Sequence, residues 1–331
     1  MHRGQVVLEP VTCERKVKIL TWELPESIEV DGGAVRWARL GSGQRSVVLV
    51  HGTPYSSFLW REIAPALAER HTVYVFDHLG YGRSEQAEGQ DLTLAAQARR
   101  FTGLLHYWGL DTADSVPTVI ANDIGGAIAL RALLLEGARY RDMTLFDCVS
   151  GGQWERGLFA LMRAHHEVFE QLPGYAHEAL VAAHLRNATH VGFRPGVQQA
   201  FLRPWLGSAG QAAYYRQYRQ LAQVDTEPYE PLLSEIDIPV QLLWGREDRI
   251  LPPEALVART HSARPDALDR RCRPPPAGGR SCPAAGSPAP LTCAASRITA
   301  AAGPQRTYAP RDRCVPFYPR HPRADTAPCA A

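Results

Sequence analysis

The sequence predicts an α/β fold: a doubly wound, mostly parallel sheet with a helical segment inserted before its last identifiable strand. Three observations carry this. Continuous apolar runs at Ser46 to Val50, Thr72 to Phe76 and Val119 to Ala121 suit strands covered on both faces. Between such runs, apolar residues recur at helical spacing. Each run also ends in a turn rich in glycine or small polar residues, at the sheet edge where open α/β folds gather their sites.

Taken in order, Lys16 to Trp22 and Ala34 to Leu40 are expected as the two strands of an opening meander, with Asp31-Gly32-Gly33 between them. Ser46 to Val50 follows and ends in His51-Gly52-Thr53-Pro54-Tyr55-Ser56-Ser57, which has neither strand nor helix pattern. A helix is expected over Phe58 to Glu69, with Leu59, Ile63, Ala66 and Leu67 on one face. The strand Thr72 to Phe76 runs into Asp77-His78-Leu79-Gly80-Tyr81-Gly82-Arg83-Ser84. Leu94, Ala98, Phe101, Leu105 and Trp108 recur at helical spacing, and Gly109 marks a stop. The run at Val119 leads into a helix over Gly126 to Glu136, and Met143 to Val149 forms another strand that places Asp147 near its end. From Gly151 to about Glu235 the alternation breaks into helical, aromatic-rich sequence with no strand. It resumes at Pro239 to Trp244, which puts Asp248 just beyond a strand end.

Composition excludes several classes. A formal charge of +2 on 331 residues gives no electrostatic case for nucleic acid or an anionic membrane surface. Met1 to Pro10 lacks the apolar core of an export signal, and no run approaches a membrane span, so a cytoplasmic protein is expected. Of seven cysteines only Cys13 and Cys148 precede position 260, and none forms a C-x-x-C pair. Neither zinc nor a disulfide framework is expected.

The chemistry centres on Val119-Ile120-Ala121-Asn122-Asp123-Ile124-Gly125-Gly126. Small residues at Ala121 and Gly125 let strand and helix pass closely, which forces the residue between them onto an exposed apex, a nucleophile elbow. Serine usually stands at such an apex; here it is Asp123, and a carboxylate redirects attack from acyl groups towards saturated carbon. Alone, small-Asx-x-Gly describes an ordinary strand-to-helix loop equally well. The neighbouring motifs supply the weight.

His51-Gly52-Thr53-Pro54, Gly80-Tyr81-Gly82-Arg83-Ser84, the elbow and Trp244-Gly245-Arg246-Glu247-Asp248, in this order, resemble the α/β-hydrolase fold superfamily over about Val17 to Val257. With aspartate at the elbow, the resemblance is to its haloalkane dehalogenases and epoxide hydrolases. It implies Asp123 as nucleophile, Asp248 as the acid orienting a histidine, and Asp147 as the rival for that acid role. It also implies an oxyanion hole from the backbone N–H groups of Thr53 and Ile124, no cofactor, and a small-molecule substrate. The implied architecture is a core over 1–150, a helical cap over 151–235 and the core resumed over 236–258.

Dehalogenases of this kind carry tryptophan after the nucleophile and often asparagine after His-Gly; Ile124 and Thr53 stand there in this chain. Epoxide hydrolases donate from cap tyrosines, for which Tyr214, Tyr215 and Tyr218 are candidates. An amphipathic helix packing its aromatics on the core is the competing explanation. Trp154 and Trp205 are candidate pocket residues on the same footing. His165, His166, His177, His184 and His190 match no metal-ligand spacing and are expected on cap surfaces.

The last 73 residues, 259–331, hold 13 of 26 prolines and five of seven cysteines but neither lysine nor glutamate. They read either as a disordered Arg/Pro/Ala tail or as a departure from the ancestral reading frame. The expected catalytic histidine falls there, and neither His261 nor His321 has the context of one. Two functions follow: a hydrolase of small apolar substrates through an aspartyl ester, or a deficient, ligand-binding relative lacking its histidine.

Overall fold

The computed structural model describes residues 22–251. The expected strand before Trp22, the 259–331 tail, and His261 and His321 lie outside them. Among the described residues seven strands form one sheet: β1 (Glu26–Val30), β2 (Gly33–Leu40), β3 (Ser46–Val50), β4 (Thr72–Phe76), β5 (Thr118–Asp123), β6 (Asp142–Cys148) and β7 (Val240–Leu243). Their order is β1-β2-β4-β3-β5-β6-β7. β1 with β2 and β2 with β4 are antiparallel, and all other pairs are parallel. The α/β, mostly parallel sheet is as the sequence predicts.

β3 shows why. Val47 to Val50 are all fully buried, with Val48 and Val50 in one apolar cluster and Val47 and Leu49 in another. The period-two alternation of a strand thus feeds two cores rather than one core and solvent. Each such side chain contributes about 1.5–3 kcal/mol of burial. Helix α1 (Ile63–Ala68) covers the smaller core, whereas α2 (Leu94–Tyr107) and α3 (Ile124–Leu135) belong to the larger.

Two expectations are corrected. The partner of β2 in the hairpin is Glu26–Val30, because a tight turn at Asp31-Gly32 pairs Val30 with Gly33. Gly32 there takes φ 92°, open to glycine without steric cost. The helix expected over Phe58 to Glu69 is a 3-10 turn, Ser57–Trp60, followed separately by α1. Pro65 has no N–H to bond the Arg61 carbonyl, and its ring crowds that carbonyl, so one continuous helix cannot form. The buried face is therefore Trp60, Ala64 and Leu67, with Ala66 exposed.

Between β6 and β7 lie α4 (Gly157–Ala164), α5 (His166–Glu170), α6 (Gly174–Asn187), α7 (Val197–Leu202) and α8 (Gly207–Gln220). Met162, Leu185, Phe201, Trp205 and Tyr218 from this insertion join the larger core cluster. Hydrogen bonds fix it to the sheet layer: Trp205 Nε1 donates to the Pro54 carbonyl (2.8 Å), Leu92 N–H to Gln220 Oε1 (2.7 Å), and Arg131 to the Asp225 carbonyl (2.9 Å).

Candidate active site

Asp123 ends β5 and caps α3 with φ 54° and ψ −128°, a conformation that an L residue holds only under external constraint. The constraint is visible in its neighbours. A Cβ on Gly125 would lie 2.6 Å from the His51 carbonyl oxygen and 2.7 Å from that of Val50, and one on Gly52 would run into the Asp123 side chain. Glycine at both positions lets the β3 loop and the α3 start meet at the aspartate.

Thr53 N–H donates to Asp123 Oδ1 at 2.7 Å, and the Ile124 backbone N–H lies close enough to this carboxylate to favour its charged form. The two expected oxyanion-hole donors thus converge on one group. Burial pushes the Asp123 pKa up to about 6; the two N–H groups oppose the shift, and the charges of Asp248 and Asp147 add to it. Burial and then Asp123's charge also raise the Tyr55 hydroxyl.

The loop after β3 is fixed by a residue to which sequence reasoning gave no role. Buried Asp77, just after β4, accepts from Ser57 N–H and Arg83 N–H, both at 2.7 Å. It thereby ties the His51 loop to the Gly80 to Ser84 turn. Its position at a strand end is the signal that marks it. His51 donates from Nδ1 to the Gly52 carbonyl (2.9 Å) and accepts His78 N–H at Nε2 (3.0 Å), so both ring nitrogens are occupied within the loops. Burial lowers the pKa of both histidines.

Asp147 and Asp248 come to the same edge. Asn122 pairs with Phe146 and Asp123 with Cys148, so Asp147 is the extra residue of a β-bulge, with φ 40°. The bulge turns its carboxylate to Gly245 N–H, at 2.6 Å. Asp248 Oδ1 accepts from Ile250 N–H (2.8 Å) and Leu251 N–H (2.9 Å), which closes the loop after β7. Burial first, then the Asp248 charge, raises the Asp147 pKa. The geometry places both acids within electrostatic reach of Asp123.

The aromatic candidates separate. Tyr214, Tyr215, Tyr218, Trp154 and Trp205 are all buried. Tyr218 is close enough to Asp123 for the carboxylate's charge to act on its hydroxyl, and it also touches His184 Nε2 at 3.5 Å. Trp205 stacks edge-on against Tyr81 and Tyr214. Tyr215 instead donates to His177 Nδ1 (3.0 Å), and His177 Nε2 donates to the Trp205 carbonyl (2.8 Å). The expectation that the cap histidines lie on the surface is thus wrong for His177, which is 1% exposed and serves as an internal hydrogen-bond bridge. His184 is only half-buried by area, yet desolvation lowers its pKa to about 4. Trp154 donates to Thr226 Oγ1 (3.2 Å) and, with Trp244, Cys148 and Leu251, lines a small surface cleft.

A sequence profile of the alpha/beta hydrolase fold matches residues 45–278, which runs on into the segment set apart by composition. An α/β-hydrolase fold protein from Burkholderia ambifaria is 39% identical, with a TM-score of 0.68 over 73% of this chain and 88% of its own. Haloalkane dehalogenase 2 of Mycobacterium tuberculosis is 26% identical over 252 residues, 71% of this chain and 82% of its own. The epoxide hydrolase CorEH is 25% identical, with a TM-score of 0.52 over 67% of this chain and 82% of its own. Among the described residues no helix is long and apolar enough to cross a membrane. With the profile spanning more than half its length, the chain belongs to the α/β-hydrolase fold family and is a hydrolase of that type.

Proposed function

We propose that the chain attacks a small, largely apolar substrate with Asp123, forming an aspartyl ester by opening an epoxide or breaking a carbon–halogen bond. One observation carries this reading: a carboxylate at the strained elbow, held by the Thr53 N–H group, with the Ile124 N–H beside it. With Oδ1 held by Thr53 N–H, in this reading Oδ2 forms the bond to carbon while the bonding electrons leave with the oxygen or halide. When water later attacks the ester carbonyl, the same two donors face the developing oxyanion.

Relatives named haloalkane dehalogenase and epoxide hydrolase support the substrate class. The α4–α8 insertion, about 151–235, serves in this reading as the cap that excludes water. Asp248, with Asp147 as the rival, would orient a histidine contributed from outside the described residues. A deficient or ligand-binding chain is the second reading, because both ring nitrogens of His51, in the loop beside Asp123, are engaged in loop hydrogen bonds.

Intact-protein mass spectrometry after incubation with epoxides and haloalkanes tests both. Wild type should gain an alkyl mass or release product, and Asp123→Asn should do neither. Stabilisation by apolar ligands with neither adduct nor product would favour the binding reading.

A further inference from the structure

Gln217, on α8, is fully buried. Its Oε1 accepts the Thr53 hydroxyl at 2.6 Å, which leaves Nε2 without a hydrogen-bond partner. The Tyr81 hydroxyl, also fully buried, has no partner that meets hydrogen-bond geometry, and the Thr53 side chain is its polar neighbour. Both donors therefore sit beside the residue whose N–H holds Asp123 Oδ1. Tyr81 is also close enough to Asp123 to feel its charge. Unpaired buried donors are rare in native proteins, and two of them around one nucleophile call for an acceptor that arrives with the substrate.

We propose that Gln217 and Tyr81 are specificity-determining donors to the atom that leaves carbon as Asp123 attacks, and that they favour the oxygen of an epoxide over a heavy halide. The proposal rests on the aspartyl-ester reading. As the bond from Asp123 to carbon forms and the C–O bond breaks, the electron pair settles on oxygen. The Nε2–H and Oη–H groups hydrogen-bond that alkoxide, and water supplies the proton it finally takes. Hydrogen bonds to an alkoxide are short and strong, whereas a diffuse iodide gains little from the same donors. The pair thus occupies the role that Ile124 and the Thr53 side chain leave open for a halide. Gln217→Glu keeps the acceptor for Thr53 and removes the donor, and Tyr81→Phe removes only the hydroxyl.

The test is single-turnover alkylation of the full chain, followed by intact mass, with 1,2-epoxybutane, 1-chlorobutane, 1-bromobutane and 1-iodobutane. The quantity read is the ratio of epoxide rate to iodide rate, which cancels any general change in Asp123 reactivity. Each variant should lower that ratio about tenfold to a hundredfold; Tyr81→Phe should melt near wild type, and Gln217→Glu, which buries a carboxylate, lower. Equal losses on epoxide and iodide, or no loss, would overturn the proposal while leaving Asp123 as nucleophile. If Gln217→Glu does not fold, the ratio measured on Tyr81→Phe decides between the same two outcomes. Absence of any adduct on wild type would instead remove the aspartyl-ester reading, and this proposal with it.

Discussion

The half of the candidate site around Asp123 and the half around Asp147 and Asp248 are built to different standards. Asp123 is fixed from three sides: the β3 loop beneath it, the start of α3 behind it and the Thr53 N–H donor on its carboxylate. β5, which delivers it, is buried from Thr118 to Asn122 and pairs on both sides. Asp147 and Asp248 instead stand on a bulge and on the loop after β7, whose Val240 and Leu242 are 37% and 40% exposed. The lesson is that Asp123, the proposed attacking group, is over-determined by packing. The acids depend on a handful of hydrogen bonds near the end of the described sheet.

The largest expected effect separates chemistry from packing. Asp123→Asn should lower alkylation by about a thousandfold or more, read by intact mass, because the amide is not a nucleophile. Next, Gly125→Ala should destabilise by about 2–4 kcal/mol in chemical denaturation, since its Cβ meets backbone oxygens that cannot move aside. Gly137→Ala, where φ is 74° but nothing lies within 4 Å of the added carbon, should cost only about 1 kcal/mol. Equal costs at the two glycines would contradict the close approach at the elbow.

On the acid side, Asp248→Ala should cost about 1–2 kcal/mol by freeing the Ile250 and Leu251 N–H groups. The last prediction concerns pH. With Asp123 raised to about 6, its reactive anion accumulates through pH 6, so the alkylation rate should rise from pH 5 to a plateau above 7. Stability runs the opposite way. A carboxyl whose folded pKa exceeds its unfolded value favours the fold at low pH, and that contribution declines as pH rises from about 4 to about 6. Asp123→Asn should therefore match wild type near pH 4 and exceed it by about 3 kcal/mol at pH 8. A variant less stable than wild type at pH 8 would mean that the N–H donors outweigh burial.

Much of the elbow geometry around Asp123 was legible because its constraints are steric and local. Continuous apolar runs announce strands buried on both faces, and small residues at Ala121 and Gly125 announce a close crossing. What escaped depends on partners distant in sequence. Nothing near Asp147 signals a bulge, since the extra residue exists only relative to β5. Pro65 was a local signal that outweighs the apolar periodicity of Phe58 to Glu69. His177 and Gln217 look like ordinary polar positions on helices until α6 and α8 pack them against Trp205, Tyr215 and Thr53.

Peptide-level mass spectrometry of the chain, quenched in acid seconds after mixing with 1,2-epoxybutane, addresses the central claim most directly. The account predicts an alkyl group on the side chain of Asp123 and on no other residue, absent from Asp123→Asn. Modification of Cys148, of a histidine or of Asp147 in its place, or turnover retained by the Asn variant, would contradict it.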